Sequence, residues 1–164
     1  MRKTGKPRIR RHRPGDIGWI VAEHGRFYVG ELGWDPSFEG FVAEVAARFL
    51  KRHDPEREAC WIAEIGGETV GAIMLVRQAA PGTAQLRVFV VTRAARGRGV
   101  GRKLISECLR FARRAGYRKV TLWTQKGLDA ARHLYEEAGF KLTREAPHEN
   151  WGRVHTGQSW ELVL

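Results

Sequence analysis

A strand-like run followed by a basic, glycine-spaced loop is the part of this chain with the clearest chemical meaning. Residues 88–101 read VFVVTRAARGRGVG and continue into the segment KLISECLRFARRAGY. The loop therefore opens a helix whose first backbone N–H groups have no partner inside the helix. The helix dipole adds positive charge there, and Gly97, Gly99 and Gly101 let an anion approach the backbone without meeting a Cβ. The pattern predicts a phosphate-binding corner.

The spacing of this loop separates it from two common nucleotide sites. It reads Arg96-x-x-Gly99-x-Gly101 and lacks the lysine and serine of a Walker loop. The elements before it do not form a strand–helix–strand unit, which argues against a dinucleotide fold. A second segment, residues 134–140 with the sequence LYEEAGF, puts a tyrosine on a helix just before a Gly-Phe pair.

Length and composition indicate one soluble globular domain. The chain has 164 residues, of which 43% are hydrophobic, and no apolar run reaches the ~18 residues that span a bilayer. We expect no membrane association and a cytoplasmic location. Cys60 and Cys108 lie among apolar neighbours and are predicted to be buried free thiols. The histidines show no paired metal-ligand spacing, so no metal is predicted.

The net charge of +11 is concentrated in two places. Residues 1–13 contribute +7 and residues 93–119 contribute +9, so the remainder of the chain is acidic. This distribution favours a small phosphate ligand at the loop and a solvated, flexible tail over residues 1–13. A nucleic-acid-binding arm or a fusion remnant remains an alternative for that tail.

The hydrophobic periodicity predicts the elements that position the loop. Asp16 is a predicted N-cap of a short helix, and Asp35-Pro36-Ser37 starts a second one that ends before Asp54-Pro55. Two strand-like runs joined by Gly66-Gly67 predict a hairpin. The remaining patterns complete the order ααβββαβαββ, an α/β (α+β) domain over residues 14–164 with a mixed central sheet and helices on both faces.

These motifs and their order resemble the GCN5-related N-acetyltransferase (GNAT) family. The family has a loop of the pattern Arg/Gln-x-x-Gly-x-Gly/Ala before a long helix and a helical tyrosine before Gly-Phe. The segments RPGDIGW, ELGWDPSFE and GQSWEL further resemble the acetyltransferase half of proteins fused to a MarR-type regulator. The sequence leaves open whether the chain is free-standing or one half of such a fusion.

The resemblance implies acetyl-CoA as co-substrate, direct transfer of its acetyl group to a primary amine in a ternary complex, and Tyr135 as general acid. A phenol can protonate the departing thiolate. The implied binding groups are a strand edge for the pantetheine arm, backbone amides of the loop for the pyrophosphate, and the basic side chains among them. The residues are Phe89, Val90, Val91, Arg96, Gly97, Arg98, Gly99, Val100, Gly101 and Arg102.

The acceptor side of the site is less determined. Trp19, Tyr28, Trp34 and Phe38, with Trp151 from the C-terminal loop, could wall a cleft for a small-molecule or peptide amine. No base is evident; Glu64, His148, His155 and Glu161 qualify only by their chemistry. Leu128 stands where the family often has asparagine. The missing base leaves a non-catalytic acetyl-CoA-binding protein or a nucleic-acid-binding or regulatory module as alternatives, and a homodimer is compatible with the family.

Overall fold

The computed structural model describes residues 4–164, which form a seven-stranded sheet in the order β1-β2-β3-β4-β5-β7-β6. Adjacent strands are antiparallel except β4 and β5, which are parallel. The strands are β1 (Arg8–Arg11), β2 (Ala59–Ile65), β3 (Glu68–Arg77), β4 (Thr83–Val91), β5 (Lys119–Gln125), β6 (Lys141–His148) and β7 (His155–Val163). The helices are α1 (Asp16–His24), α2 (Ser37–Arg52), α3 (Val100–Arg114) and α4 (Asp129–Glu137).

Helices cover both faces of the sheet, as predicted. Along β2, Cys60 and Ile62 pack in one buried cluster with α1 and α2, whereas Trp61 and Ala63 pack in another with α3. This alternation follows from the two-residue period of a strand. Tyr135 brings α4 into the α3 cluster. Cys60 and Cys108 are buried free thiols, which confirms that prediction.

Three short segments connect these elements. The chain continues from α1 into a π-helical segment (Gly25–Glu31), and single 3-10 turns occur at Arg93–Ala95 and Asn150–Gly152. The β2–β3 turn confirms the predicted hairpin: Gly66 and Gly67 have φ of 58° and 81°, and Ile65 pairs with Glu68. Two successive positive φ angles are the type I′ geometry that glycine adopts without strain.

The basic N-terminal segment is the main departure from the sequence prediction. Residues Arg8–Arg11 form β1, which pairs antiparallel with β2, so the prediction of a flexible tail is wrong for them and the domain begins before residue 14. Residues 1–3 of that tail lie outside the described residues. Arg10 forms ion pairs with Asp16 (2.6 Å) and Glu64 (2.7 Å). Its charge therefore holds the strand in place instead of facing water.

The start of α1 also differs from expectation. Asp16 is the first helical residue, and Gly15, with φ of 94°, occupies the cap position. The Asp16 carboxylate accepts the Arg13 N–H (2.6 Å) and the Arg10 guanidinium. The acid predicted as an N-cap thus anchors the β1–α1 connection.

Candidate active site

A wedge-shaped gap opens in the middle of the sheet. The parallel strands β4 and β5 pair only from Thr83 to Gln85, although β4 runs on to Val91 and β5 to Gln125 in the described chain. Because strands carry hydrogen-bonding groups on both edges, the second half of β4 presents unpaired N–H and C=O groups to this gap. An extended ligand can pair with such an edge as an added strand.

A β-bulge re-aims β4 at the same point. Its pairing with β3 shifts by one residue between Arg87 and Val90, and Val88 has a φ of 47°. Leu86, before the bulge, and Phe89, after it, both pack in the cluster that contains α3, although they lie three positions apart in the chain. One extra residue therefore reverses which side chains face which layer. A β-branched residue at positive φ is a conformational outlier of the kind found at functional sites.

The glycine loop follows β4 and leaves its amides free. Gly97 and Gly99 each have a φ of 76°, and α3 begins at Val100 without a side-chain cap. The first helical hydrogen bond is donated by Lys103 to the Gly99 carbonyl (3.1 Å). Within the described chain, the amides from residue 97 to 102 donate to no backbone carbonyl. A Cβ added at Gly97 or Gly99 would meet nothing within 4 Å, so open space lies in front of an electropositive helix end.

The basic side chains of the loop contact protein groups. Arg98 donates to the Gly5 carbonyl (2.9 Å), and Arg102 makes two 3.0 Å hydrogen bonds to the Glu137 carboxylate. The guanidinium carbon of Arg96 lies 4.9 Å from the ring centroid of Phe27. The backbone amides are therefore the groups of this corner that are free to accept a ligand, and Arg96 forms part of its wall.

Two cavities extend from the loop into the gap. The first, which we call the outer cleft, has a volume of about 280 Å³ and is lined by Phe89, Val90, Val91, Arg96 and the start of α4. The second, the inner cavity, has a volume of about 110 Å³ and lies between β4, β5 and α2. Tyr28, Phe89 and Leu128 line both. The two spaces thus adjoin, and Leu128 supplies an apolar wall at their junction.

Aromatic side chains wall the inner cavity. Trp34 and Trp151 stack with ring centroids 5.4 Å apart and an interplanar angle of 5°, and Phe38 meets Trp151 edge-on at 4.9 Å. Trp151 has a φ of 60°, and its carbonyl accepts the N–H of Asp35 (3.0 Å). This hydrogen bond holds the C-terminal loop against the start of α2.

Four of the five aromatic residues assigned to the acceptor cleft line the inner cavity: Tyr28, Trp34, Phe38 and Trp151. Trp19 does not, and its assignment is corrected. It lies on α1 and packs against the buried cluster that α1 and α2 form with the sheet. The aromatic pattern alone did not reveal which side of α1 faces the sheet gap.

Tyr135 lies on α4 and also lines the inner cavity. Its ring packs between Phe89 and Phe140, at centroid distances of 6.0 Å to each. Burial, and next the neighbouring phenol of Tyr28, raise the pKa of Tyr135 well above its ordinary value. The hydroxyl is therefore protonated at neutral pH and available as a donor. Burial likewise raises the pKa of Tyr28, to about 12.

His24 is a cavity residue that sequence reasoning did not assign. It lines the inner cavity and stacks on Tyr28 at 5.8 Å. Its Nδ1 lies 2.8 Å from the Ile20 carbonyl, which requires a proton on Nδ1 and leaves Nε2 with a lone pair. Burial lowers the pKa of His24 to about 4, so the ring is neutral at pH 7. The sequence signal that could have identified His24 was its position on the apolar stripe of α1, which faces the protein interior.

None of the four residues proposed as a base lines the inner cavity. Glu64 pairs with Arg10, and Glu161 pairs with Lys119 at 3.3 Å. His148 Nε2 contacts the Gln125 side-chain oxygen (2.7 Å), and the ring of His155 lies against Trp34 (4.4 Å). The titratable side chains that do line it are His24, Tyr28, Arg87 and Tyr135.

Residues 4–164 contain neither a metal-binding cluster nor a membrane-spanning helix. No group of three or more His, Cys, Asp or Glu side chains is arranged to hold a metal ion among these residues. No helix in the same range combines the length and apolarity needed to cross a bilayer.

Solved structures share this fold across nearly the whole chain. A ribosomal-protein-alanine N-acetyltransferase from Brucella melitensis superposes with a TM-score of 0.78, covering 96% of this chain and 99% of that one at 20% identity. The structure of yncA from Salmonella typhimurium with its cofactor acetyl-CoA superposes with a TM-score of 0.74, covering 97% and 94% at 22% identity.

Sequence comparison gives the family. N-acetyltransferase family 8 member 2 of Rattus norvegicus is 34% identical over 106 residues, which is 62% of this chain and 45% of that protein. The chain thus matches about half the length of this relative. The sequence pattern of the acetyltransferase (GNAT) family matches residues 27–140, from the π-helical segment to the Gly-Phe pair after Tyr135. The chain therefore belongs to the GNAT family of acetyltransferases.

Proposed function

We propose that this protein is an acetyl-CoA-dependent N-acetyltransferase that acetylates a primary amine directly, in a ternary complex. The observation that carries the proposal is the gap between β4 and β5. It joins the free amides of the glycine loop, the unpaired edge of β4 and the buried hydroxyl-bearing Tyr135 in one path. Family membership supports the same reaction class.

The loop and strand edge fit the long, anionic shape of acetyl-CoA. The amides from residue 97 to 102 face open space and suit the pyrophosphate. The backbone of Phe89, Val90 and Val91, along the outer cleft, suits the amides of the pantetheine arm. The apolar side chain of Leu128 packs against this arm in place of an amide contact.

When bound, acetyl-CoA supplies a thioester whose carbonyl carbon accepts the amine and whose sulfur leaves. A backbone N–H of Val90 or Val91 polarises the carbonyl oxygen, since these groups are fixed by the strand and need not reorganise. Tyr135 donates its phenolic proton to the departing sulfur and is reprotonated from water, which takes up the proton that the amine loses. His24 Nε2 accepts a hydrogen bond from the attacking amine and orients its lone pair toward the carbonyl; the surplus amine proton passes to water.

The low pKa of His24 explains why this residue accepts a hydrogen bond from the amine while water takes up the proton. A histidine with a pKa of about 4 is a weak base, so it binds a neutral amine but does not retain its proton at pH 7. The enzyme therefore acts on the fraction of acceptor that is already deprotonated. We expect turnover to rise with pH as the free amine becomes more abundant.

Isothermal titration with acetyl-CoA, with ATP and NAD as controls, tests the proposal first. Selective micromolar binding, about −8 kcal/mol, followed by release of free CoA thiol in the presence of an amine, is the expected result. Binding without thiol release across a broad amine panel would favour a non-catalytic acetyl-CoA-binding protein. Absence of binding would overturn the proposal.

Finer expectations belong to the same proposal. They are kinship with the acetyltransferase half of MarR-regulator fusions, a cytoplasmic location and a homodimeric state. Gel filtration with light scattering tests the last of these. The nucleic-acid alternative has less support than the charge of the N-terminal segment suggests, because Arg10 is ion-paired and Lys103 and Arg98 bond to carbonyls of residues 5–7.

A further inference from the structure

Arg87 brings a positive charge into a cavity whose walls are largely aromatic and aliphatic. It lies on β4 immediately before the bulge and lines the inner cavity together with Gln85 and Phe41. Its guanidinium carbon lies 5.7 Å from the ring centroid of Phe41. The side chain is half-buried, and burial, followed by the like charge of Arg48, lowers its pKa.

No carboxylate of the described chain neutralises Arg87. Its hydrogen bond to the Gln85 side-chain oxygen is 3.5 Å long, at the limit of such an interaction. Arg10 shows the contrast, because that partly buried guanidinium has two carboxylates within 2.7 Å. A partly desolvated, planar cation without a counter-ion has a strong drive to bind an anion.

The rest of the lining restricts what the anion can be attached to. No Asp or Glu lines the inner cavity, so an acceptor with several positive charges, such as a polyamine, would have no counter-charge there. The walls of Tyr28, Trp34, Phe38 and Trp151 suit an apolar or aromatic group. Arg87 lies immediately before the bulge and Phe89 immediately after Val88, and both line the inner cavity, which places an anion bound to Arg87 in the same space as the amine that must reach the strand edge.

We propose that the acceptor is a free α-amino acid with an aromatic or other large apolar side chain, whose carboxylate pairs with the Arg87 guanidinium. The side chain of the amino acid occupies the aromatic walls, and its amine faces the unpaired edge of β4. This inference rests on the proposed N-acetyltransferase function. A peptide N-terminus lacks the carboxylate next to its amine and is a poorer acceptor.

The inference is tested by measuring release of CoA thiol from acetyl-CoA with three matched acceptors: phenylalanine, phenylalanine amide and phenethylamine. Spermidine is added as a polyamine acceptor. Wild type should use phenylalanine at least about 10-fold more efficiently than the two analogues without a carboxylate, since hydrogen bonds to charged groups are strong. Arg87→Gln should raise the KM for phenylalanine about 10- to 100-fold and remove most of this preference. Arg87→Lys should restore part of it, because lysine keeps the charge without the planar fork.

Arg48→Gln is the matched control. Arg48 is an exposed positive charge near Arg87, and its side chain does not line the inner cavity. The preference of this variant for phenylalanine should equal that of wild type. Acetyl-CoA titration of every variant separates the two proposals. Normal acetyl-CoA binding with equal or better turnover of the amide, phenethylamine or spermidine would overturn the amino-acid inference and leave the enzyme proposal intact.

Ligand binding without chemistry gives a second readout. Tryptophan fluorescence, to which the stacked Trp34 and Trp151 contribute, is followed during titration with N-acetylphenylalanine in the presence of CoA. Saturable quenching by the acid, weaker in Arg87→Gln and absent with N-acetylphenylalanine amide, is expected. Equal binding of acid and amide would also overturn the inference. A chain that binds no acetyl-CoA fails the proposed function itself.

Discussion

Gly101 lies directly against Leu134: a Cβ added to the glycine would stand 2.6 Å from Leu134 Cδ1. This contact joins the start of α3 to α4 at Leu134, the residue immediately before Tyr135. The two segments recognised in the sequence are therefore packed on each other. The glycine is needed here for close approach of two helices, whereas Gly97 and Gly99 are needed for positive φ angles.

Gly101→Ala should therefore lower both stability and cofactor affinity. The new methyl group meets Leu134 and Phe89 (3.1 Å), and overpacking of this kind costs about 1–3 kcal/mol. Urea unfolding and acetyl-CoA titration measure the two effects. Gly40→Ala in α2 is the control, because its Cβ would meet nothing within 4 Å. Unchanged stability and affinity in Gly101→Ala would contradict this packing.

Tyr135→Phe should reduce kcat by at least about 10-fold, and by up to the ~10²–10⁴ that general acid catalysis contributes, and leave acetyl-CoA affinity nearly unchanged. The phenol is buried, and its ring packing against Phe89 and Phe140 is retained in phenylalanine. Tyr28→Phe is the comparison, since that hydroxyl shares the inner cavity. If Tyr28→Phe lost the larger share of kcat, the acid would be Tyr28.

Acid should destabilise the fold through His24. Its folded-state pKa is about 4, below the ordinary 6.5, so the unfolded chain binds its proton more readily. The contribution of this group is fully present above pH 6.5 and is lost as pH falls toward 4. We expect the titration of His24 to lower the free energy of unfolding by about 2 kcal/mol between pH 7 and pH 5.

Urea unfolding at these two pH values, on wild type and His24→Asn, measures this loss. Asparagine can keep the hydrogen bond to the Ile20 carbonyl but does not titrate. The difference between the two pH values should shrink in His24→Asn and persist in His133→Asn, an exposed control on α4. The same difference in all three proteins would exclude His24 as its source.

Arg10→Ala should destabilise the protein by about 3 kcal/mol, because it leaves Asp16 and Glu64 unpaired. Although burial opposes ionisation of Asp16, the hydrogen bonds from Arg10 and the Arg13 amide lower the pKa of its carboxyl. Arg8→Ala, at an exposed position of the same strand, is the control. Thermal unfolding compares them. Equal melting temperatures would mean that β1 contributes little to the fold.

The parts that sequence predicted correctly depend on local chemistry. Gly66-Gly67 signals a hairpin because two positive φ angles suit glycine, and Asp35-Pro36-Ser37 signals a helix start because these residues fit its first turn. The glycine loop is recognisable for the same reason. In each case the residues that define the feature are neighbours in the chain.

The strand β1 and the place of Trp19 could not be predicted in this way. A run of arginines resembles a solvated tail until Arg10 meets Glu64, which lies 54 residues further along the chain. Trp19 belongs to an aromatic series in sequence, but the rotation of α1 against the sheet puts it outside the cavity. Both outcomes depend on contacts between distant segments.

The sequence by itself determined the glycine loop, the tyrosine segment and the family, because glycine geometry, helix polarity and motif spacing are properties of contiguous residues. Only the tertiary structure decided the acceptor side. The bulge at Val88 overrides the preference of valine for extended backbone, since pairing with β3 fixes the register on both sides of it. Arg87, beside this bulge, lines the same cavity that His24 and Tyr135 reach from other elements.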